Sequence, residues 1–203
     1  MRLIGVNRSP YTRRVAIALC AYAVPFEQSE LNGFGHREAV RALNPLGRIP
    51  ALELDDGEVL VDSGAILDHL DEVHGGSMPL APRGGPERRA VLRVAALAMG
   101  ACDKGLQAAY HRNHVPAERR HQPWIEDCLA QMGHALGAID ALLEPNATHL
   151  LLGHLTHADI AAFVAERLAR GLGIDTATRM PRLRTQAKRL LELAPFATTE
   201  PAA

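Results

Sequence analysis

Apolar and polar positions follow two different patterns along the chain. Up to His74, short apolar runs alternate with stretches of helical spacing. "LIGV" is a short strand candidate, and "SPYTRRVAIALCAY" after it has helical periodicity. "PFEQSEL" reads as a second strand and "REAVRAL" as a short helix. "IPALEL" and "EVLV" flank Asp56-Gly57, a pair that favours a hairpin turn. "DSGAILDHLDEV" opens on capping residues and continues as an amphipathic helix. The predicted order is β-α-β-α-β-β-α. "HGGSMPLAPRGGP" breaks both patterns with Gly and Pro and reads as a linker. Beyond it the spacing is helical throughout, with helices expected over 87–113, 122–143, 156–170 and 181–193. "TTEPAA" reads as a loose tail. The expected organisation is an α/β domain of residues 1–75, a linker of 76–86 and an all-α domain of 87–203.

Composition narrows the class. With 47% hydrophobic and 22% charged residues, the chain suits a soluble globular protein. No apolar run approaches the roughly 18 residues of a membrane span. The opening "MRLIGVNRSP" is too short in its apolar part for a secretory signal, so a cytoplasmic location is expected. The net charge of −1 divides into −4 up to His74 and +3 beyond it, which is not the basic face of a nucleic-acid binder. Cys20, Cys102 and Cys128 form no close pair and sit in apolar helical stretches, as buried inert thiols do. His111 with His114, and His154 with His157, lack acidic or thiol partners at metal-binding spacing, so no metal is expected.

Three short segments carry candidate chemistry. Pro50 lies at the start of "IPALEL", where a proline cannot donate to a ladder. It is either a plain edge proline or a device that leaves the backbone of Ile49 open to a ligand. Ser9 precedes Pro10, and Pro favours the first helical position, so Ser9 is an N-cap whose hydroxyl could also face a ligand. Asp62 and Ser63 open the next long helix, where free N–H groups and the macrodipole attract anions. Thr156 and Asp159 read as a capping box with a structural role only.

A β-α-β-α-β-β-α unit with a proline opening its third strand resembles the thioredoxin fold, in which the bond before that proline is cis. "SPYTRRV", "NPLGRIPAL" and "DSGAI", taken in order, resemble the glutathione-binding half of cytosolic glutathione S-transferases. "LTHADIAAF" and "MPRLRTQAKRLLELAPF" extend the resemblance to that family's helical half. The resemblance implies a homodimeric enzyme that binds glutathione as co-substrate and joins its thiol to a small electrophile. The alternative is a non-catalytic ligand-binding or scaffold protein of the same fold. It implies that Ser9 hydrogen-bonds the glutathione sulfur, although "SPYT" lacks both thiols of a glutaredoxin-like "CPYC". It implies that the backbone of Ile49 beside Pro50 pairs with the tripeptide. Asp62 and Ser63 would hold its γ-glutamyl end, and Arg48, with His36 and Arg37 as weaker candidates, its glycyl carboxylate. Tyr11 either packs or points into the site. On the helical half Met99, Asp103, Leu106 and Tyr110 share a helix stripe, and Met99, Asp103 and Tyr110 with Tyr11 are expected to line the second-substrate cleft.

Overall fold

The computed structural model of the chain describes residues 1–145 and 147–201. The elements are β1 (Arg2–Ile4), α1 (Pro10–Ala21), β2 (Glu27–Ser29), α2 (Arg37–Leu43), β3 (Ala51–Glu53), β4 (Val59–Val61), α3 (Ser63–His74), α4 (Gly85–His114), α5 (Gln122–Asp140), α6 (His157–Gly171), α7 (Thr176–Arg179), α8 (Pro181–Leu191) and α9 (Ala194–Ala197). They form two compact units. One holds Met1–Leu80 with the described residues from Leu191 onward, the other Ala81–Leu190.

In the first unit the strands run in the order β2-β1-β3-β4. β1 pairs parallel with β2 and antiparallel with β3, which pairs antiparallel with β4. Leu3 stands between Gln28 and Leu52 in this register, and Leu3, Ile4, Ala51 and Leu52 are buried. Helix α1 buries every residue from Val15 to Leu19, and α3 buries Ile66, Leu67 and Leu70. Each buried Leu, Ile or Val among them contributes about 1.5–3 kcal/mol. Tyr22 closes the far end of the helix pair. Its hydroxyl donates to Asp71 of α3 (2.5 Å) and accepts from the Leu80 N–H (2.6 Å).

The tail corrects the sequence reading. The chain after α8 is not loose: Phe196 and Thr199 are buried, and α9 packs on α1. Arg13 of α1 donates to the Phe196 carbonyl (3.1 Å) and pairs with Glu200 (2.5 Å). The described residues from Leu191 onward therefore group with the α/β unit, not with the helical domain of 87–203 expected from sequence. The expected linker is also tied down at its middle, since Leu80 and Ala81 are buried. Ala202 and Ala203 of the expected tail lie outside the described residues.

The second unit is helical. α4 packs along α5 and α6, and α6 is buried on nearly all sides from Ala158 to Glu166. Its start is the expected capping box. Asp159 accepts from the Thr156 N–H and hydroxyl (both 2.9 Å), the Leu150 N–H (2.7 Å) and Gln186 Nε2 (2.8 Å). Burial pushes its carboxyl up, and these donors pull against that rise.

Candidate functional site

The first unit brings the three segments to one end of its sheet. β1 leads through a short loop into α1, whose N-cap is Ser9. The Ser9 carbonyl accepts from the Arg13 N–H (2.9 Å), and its hydroxyl oxygen accepts from the Thr12 N–H (3.3 Å). With the oxygen serving the helix as acceptor, the hydroxyl proton can be donated outward. Pro10 follows at the first helical position, as its ring geometry favours. Gln28 steadies the loop before the cap by donating to the Gly5 carbonyl (2.8 Å) and to Asn7 (2.9 Å).

The turn before β3 is built by Asn44. Its amide donates to the Arg48 carbonyl (2.8 Å), and its oxygen accepts from the Leu46 N–H (3.1 Å). Gly47 at φ 66° lets the chain reverse, with its N–H on the Asn44 carbonyl (2.7 Å). The bond Ile49–Pro50 is cis. β3 begins at Ala51, so Pro50 precedes the ladder rather than interrupting it. Among the described residues, no hydrogen bond engages the main-chain N–H or carbonyl of Ile49. That half-buried segment is open for pairing with an extended peptide.

Gly5 joins this turn to α1. At φ 141°, a Cβ there would lie 2.4 Å from Thr12 Oγ1 and 3.2 Å from Ile49 Cβ. Only glycine lets the end of β1 approach both. Asp62, the N-cap of α3, takes φ 68° and ψ 127°. Such a conformation costs a non-glycine residue about 1–3 kcal/mol and tends to occur where function requires it. Its Oδ1 accepts from the Gly64 N–H (2.7 Å) while the side chain remains exposed, and Ser63 beside it is buried. A hydroxyl at one helix start, a free peptide edge and an acidic cap at a second helix start thus share one unit. The arrangement suits a small peptide bearing an ammonium and a carboxylate.

Other sequence-predicted residues have plainer surroundings. Arg48, His36 and Arg37 are exposed, and His36 Nδ1 accepts from the Asn32 N–H (3.3 Å). Tyr11 is half-buried on α1. Met99, Asp103 and Tyr110 lie on α4 in the second unit; Met99 is buried, Asp103 is exposed, and the Tyr110 ring tilts 5.8 Å from that of His114. Cys20 is half-buried, while Cys102 and Cys128 are buried. Among the described residues no cluster of His, Cys, Asp and Glu could hold a metal ion, and no helix is long and apolar enough to cross a membrane. Asn44, Gly5 and Gln28 shape the site without having been singled out from sequence. Gly5 directly after an apolar run, and Asn44 at the end of a helical one, were the available signals.

Residues 3–78 match the glutathione S-transferase N-terminal domain family. The chain is 39% identical over 108 residues to the maleylacetoacetate isomerase of Pseudomonas aeruginosa, a match spanning 51% of this chain and 50% of that protein. A glutathione S-transferase from Methylobacterium radiotolerans, in complex with glutathione sulfonate, superposes with a TM-score of 0.92 at 29% identity, over 100% of this chain and 95% of that one. A maleyl pyruvate isomerase, described as a bacterial glutathione S-transferase of the zeta class, gives 0.82 at 27% identity, over 100% and 98%.

Proposed function

The chain belongs to the glutathione S-transferase family, and from that premise we propose that it is an enzyme that binds glutathione and directs its thiolate at a small electrophile. The observation that carries the reading is Ser9: its oxygen is held by the Thr12 N–H at a helix start, so its proton is available to a sulfur. The partial positive charge of that helix end stabilises a thiolate, as it does for cysteines at the same position. Asp62 suits the γ-glutamyl ammonium, and Ser63 with the α3 start suits the carboxylate beside it. Ile49 supplies main-chain groups to the tripeptide backbone, and Arg48 is the candidate for its glycyl carboxylate. Tyr11 and the α4 residues Met99, Asp103 and Tyr110 are the candidates for contact with the second substrate. A homodimer is part of this proposal.

The likeness to a maleylacetoacetate isomerase and a maleyl pyruvate isomerase favours a second outcome of the same first step. Thiolate adds to an activated cis carbon–carbon double bond and makes a C–S bond. Rotation about the resulting single bond and loss of the same sulfur return the trans alkene and the thiolate. Conjugation keeps the C–S bond and consumes glutathione; isomerisation breaks it and regenerates glutathione.

The test offers 1-chloro-2,4-dinitrobenzene and maleyl pyruvate separately, each with glutathione. Loss of free thiol with the first supports a transferase. Turnover of the second at substoichiometric glutathione supports an isomerase. No turnover of either, together with no calorimetric binding at millimolar glutathione, would leave a scaffold of this fold.

A further inference from the structure

We propose that the helical unit carries a ligand site of its own, at α8 and the residues that follow α5, and that it takes a small phosphomonoester. A cavity of about 240 Å³ lies there, bordered by Arg182, Thr185 and Arg189 of α8 and by Leu143, Glu144 and Ala147. Pockets for drug-sized molecules run to roughly 300–1,000 Å³, so this one suits a smaller ligand. All of these residues belong to the unit Ala81–Leu190, and none is part of the site described above.

The charge of α8 has one sign. The helix holds Arg182, Arg184, Lys188 and Arg189 and no carboxylate, and it buries Leu183, Gln186, Ala187 and Leu190. Arg182, Thr185 and Arg189 stand at i, i+3 and i+7, on one stripe of the helix. Two arginines at that spacing would ordinarily sweep solvent independently. Here both are tethered to the same stretch of chain: Arg182 Nη1 donates to the Leu143 carbonyl (2.8 Å), and Arg189 Nη1 to the Ala147 carbonyl (3.3 Å). The tethers hold both guanidinia at the cavity and lower the ordering cost of binding there. Each such bond engages one of a guanidinium's five donors. Guanidinium forks match phosphate oxygens, and two of them suit a dianion. The neighbouring charges leave this balance positive. Glu144 is the one carboxylate on the lining, Asp140 already accepts from the Leu183 N–H (2.8 Å), and Arg184 turns toward the buried Glu166 (3.6 Å). Lys188 is exposed on the adjacent stripe. Pro145 and Pro181, with Leu143 and Ala147, give the rest of the lining apolar groups, which suit the alkyl part of an ester.

Calorimetry on the full chain at constant salt tests this with ethyl phosphate and inorganic phosphate. Wild type should bind ethyl phosphate at one site per chain, and more tightly than inorganic phosphate. Arg182→Gln and Arg189→Gln should each weaken the ester at least tenfold. Both variants also lose a tether, so Thr185→Glu provides the second arm: it sets a carboxylate between the two arginines without removing either tether, and it should abolish binding while the unfolding midpoint stays that of wild type. Lys188→Gln should weaken the ester by less than about twofold. No saturable binding by wild type at about 10 mM ester overturns the proposal, as does tighter binding of the inorganic ion. Binding that survives Thr185→Glu lies elsewhere and overturns it too. A loss in Lys188→Gln equal to that in Arg189→Gln would mean diffuse attraction to a basic helix, with no site.

Discussion

Arg13 and Glu200 meet at 2.5 Å across 187 residues of sequence, so the end of the chain is fastened to the helix that Ser9 caps. The Arg13 side chain is 4% exposed and that of Glu200 is 36% exposed. Burial pulls the guanidinium down to about 10, which leaves it charged at neutral pH. Glu200→Ala should cost about 1–2 kcal/mol, because water can partly replace the lost carboxylate. Arg13→Ala should cost more, since it also takes one of two donors from the Phe196 carbonyl and empties the space of a buried stem. Urea unfolding of the two variants checks the order. Equal midpoints for wild type and Arg13→Ala would show that the clamp contributes nothing.

This clamp was not legible in the sequence. "TTEPAA" is polar and short, and its order depends on a buried cation that a one-dimensional pattern cannot pair with it. The β-α-β-α-β-β-α order was legible because each element carries its own period and its own stop signal. The helix at Gln122 was expected to reach Leu143 but ends at Asp140, whose carboxylate instead accepts from the Leu183 N–H (2.8 Å). For the site, Ser9, Pro50 and Asp62 were visible as residue types at helix and strand starts. The left-handed backbone of Asp62 and the approach of Gly5 to Thr12 were not, because both are set by tertiary contact.

Tyr22 and Asp71 hold the far ends of α1 and α3. The phenol is half-buried beside a carboxylate, and both the desolvation and the carboxylate push its ionisation up, so it remains a donor. Tyr22→Phe would take one donor from the mostly buried Asp71 and leave the Leu80 N–H without its acceptor. A loss of about 2–3 kcal/mol is expected, as for a hydrogen bond to a charged group. Guanidinium unfolding measures it, and a loss below about 0.5 kcal/mol would mean water takes over both bonds.

Asp159 serves donors from three parts of the second unit, so its removal should be felt widely. Asp159→Ala leaves the Thr156, Leu150 and Gln186 groups without their acceptor. About 3–5 kcal/mol should be lost, the range for stripping one member from a buried charged network. Asp159→Asn keeps one oxygen but turns an amide donor toward other donors, so it should rescue less than half. Thermal unfolding ranks the three proteins, and an asparagine variant as stable as wild type would refute this account of the network.

The exposed face of α4 carries Leu92, Ala96 and Gly100 at four-residue spacing, with Leu97 beside them. Leu92 and Leu97 are 40% and 39% exposed. A row of aliphatic and small residues on a long helix suits close packing against a symmetry mate. Light scattering should give about twice the chain mass of 21.9 kDa. Ala96→Arg should return it to the chain mass while the circular dichroism spectrum stays the same. A wild-type protein that scatters as a monomer at tens of micromolar would remove the proposed homodimer.

Ser9→Ala tests the chemistry through its pH dependence. A hydroxyl donating to a bound thiolate favours the charged form and lowers the thiol pKa. Such a bond is worth about 1.5–3 kcal/mol, or roughly one to two pKa units. Without it the bound thiol moves back toward the ordinary value of about 8.5. Well below both values, the thiolate fraction, and with it the rate of addition, should fall about tenfold to a hundredfold. The deficit should shrink as pH rises through the mutant's pKa, because both proteins are then fully ionised. Glutathione affinity should change less than the rate, since the contacts proposed for Asp62, Ser63 and Ile49 with the rest of the tripeptide are left in place. The lost N-cap adds a separate cost of about 1 kcal/mol in stability, read by unfolding and not by the pH profile. A rate profile that drops in parallel at every pH would mean Ser9 acts only as a cap. An unchanged profile would shift attention to Tyr11, the next side chain along α1 with a donor hydroxyl.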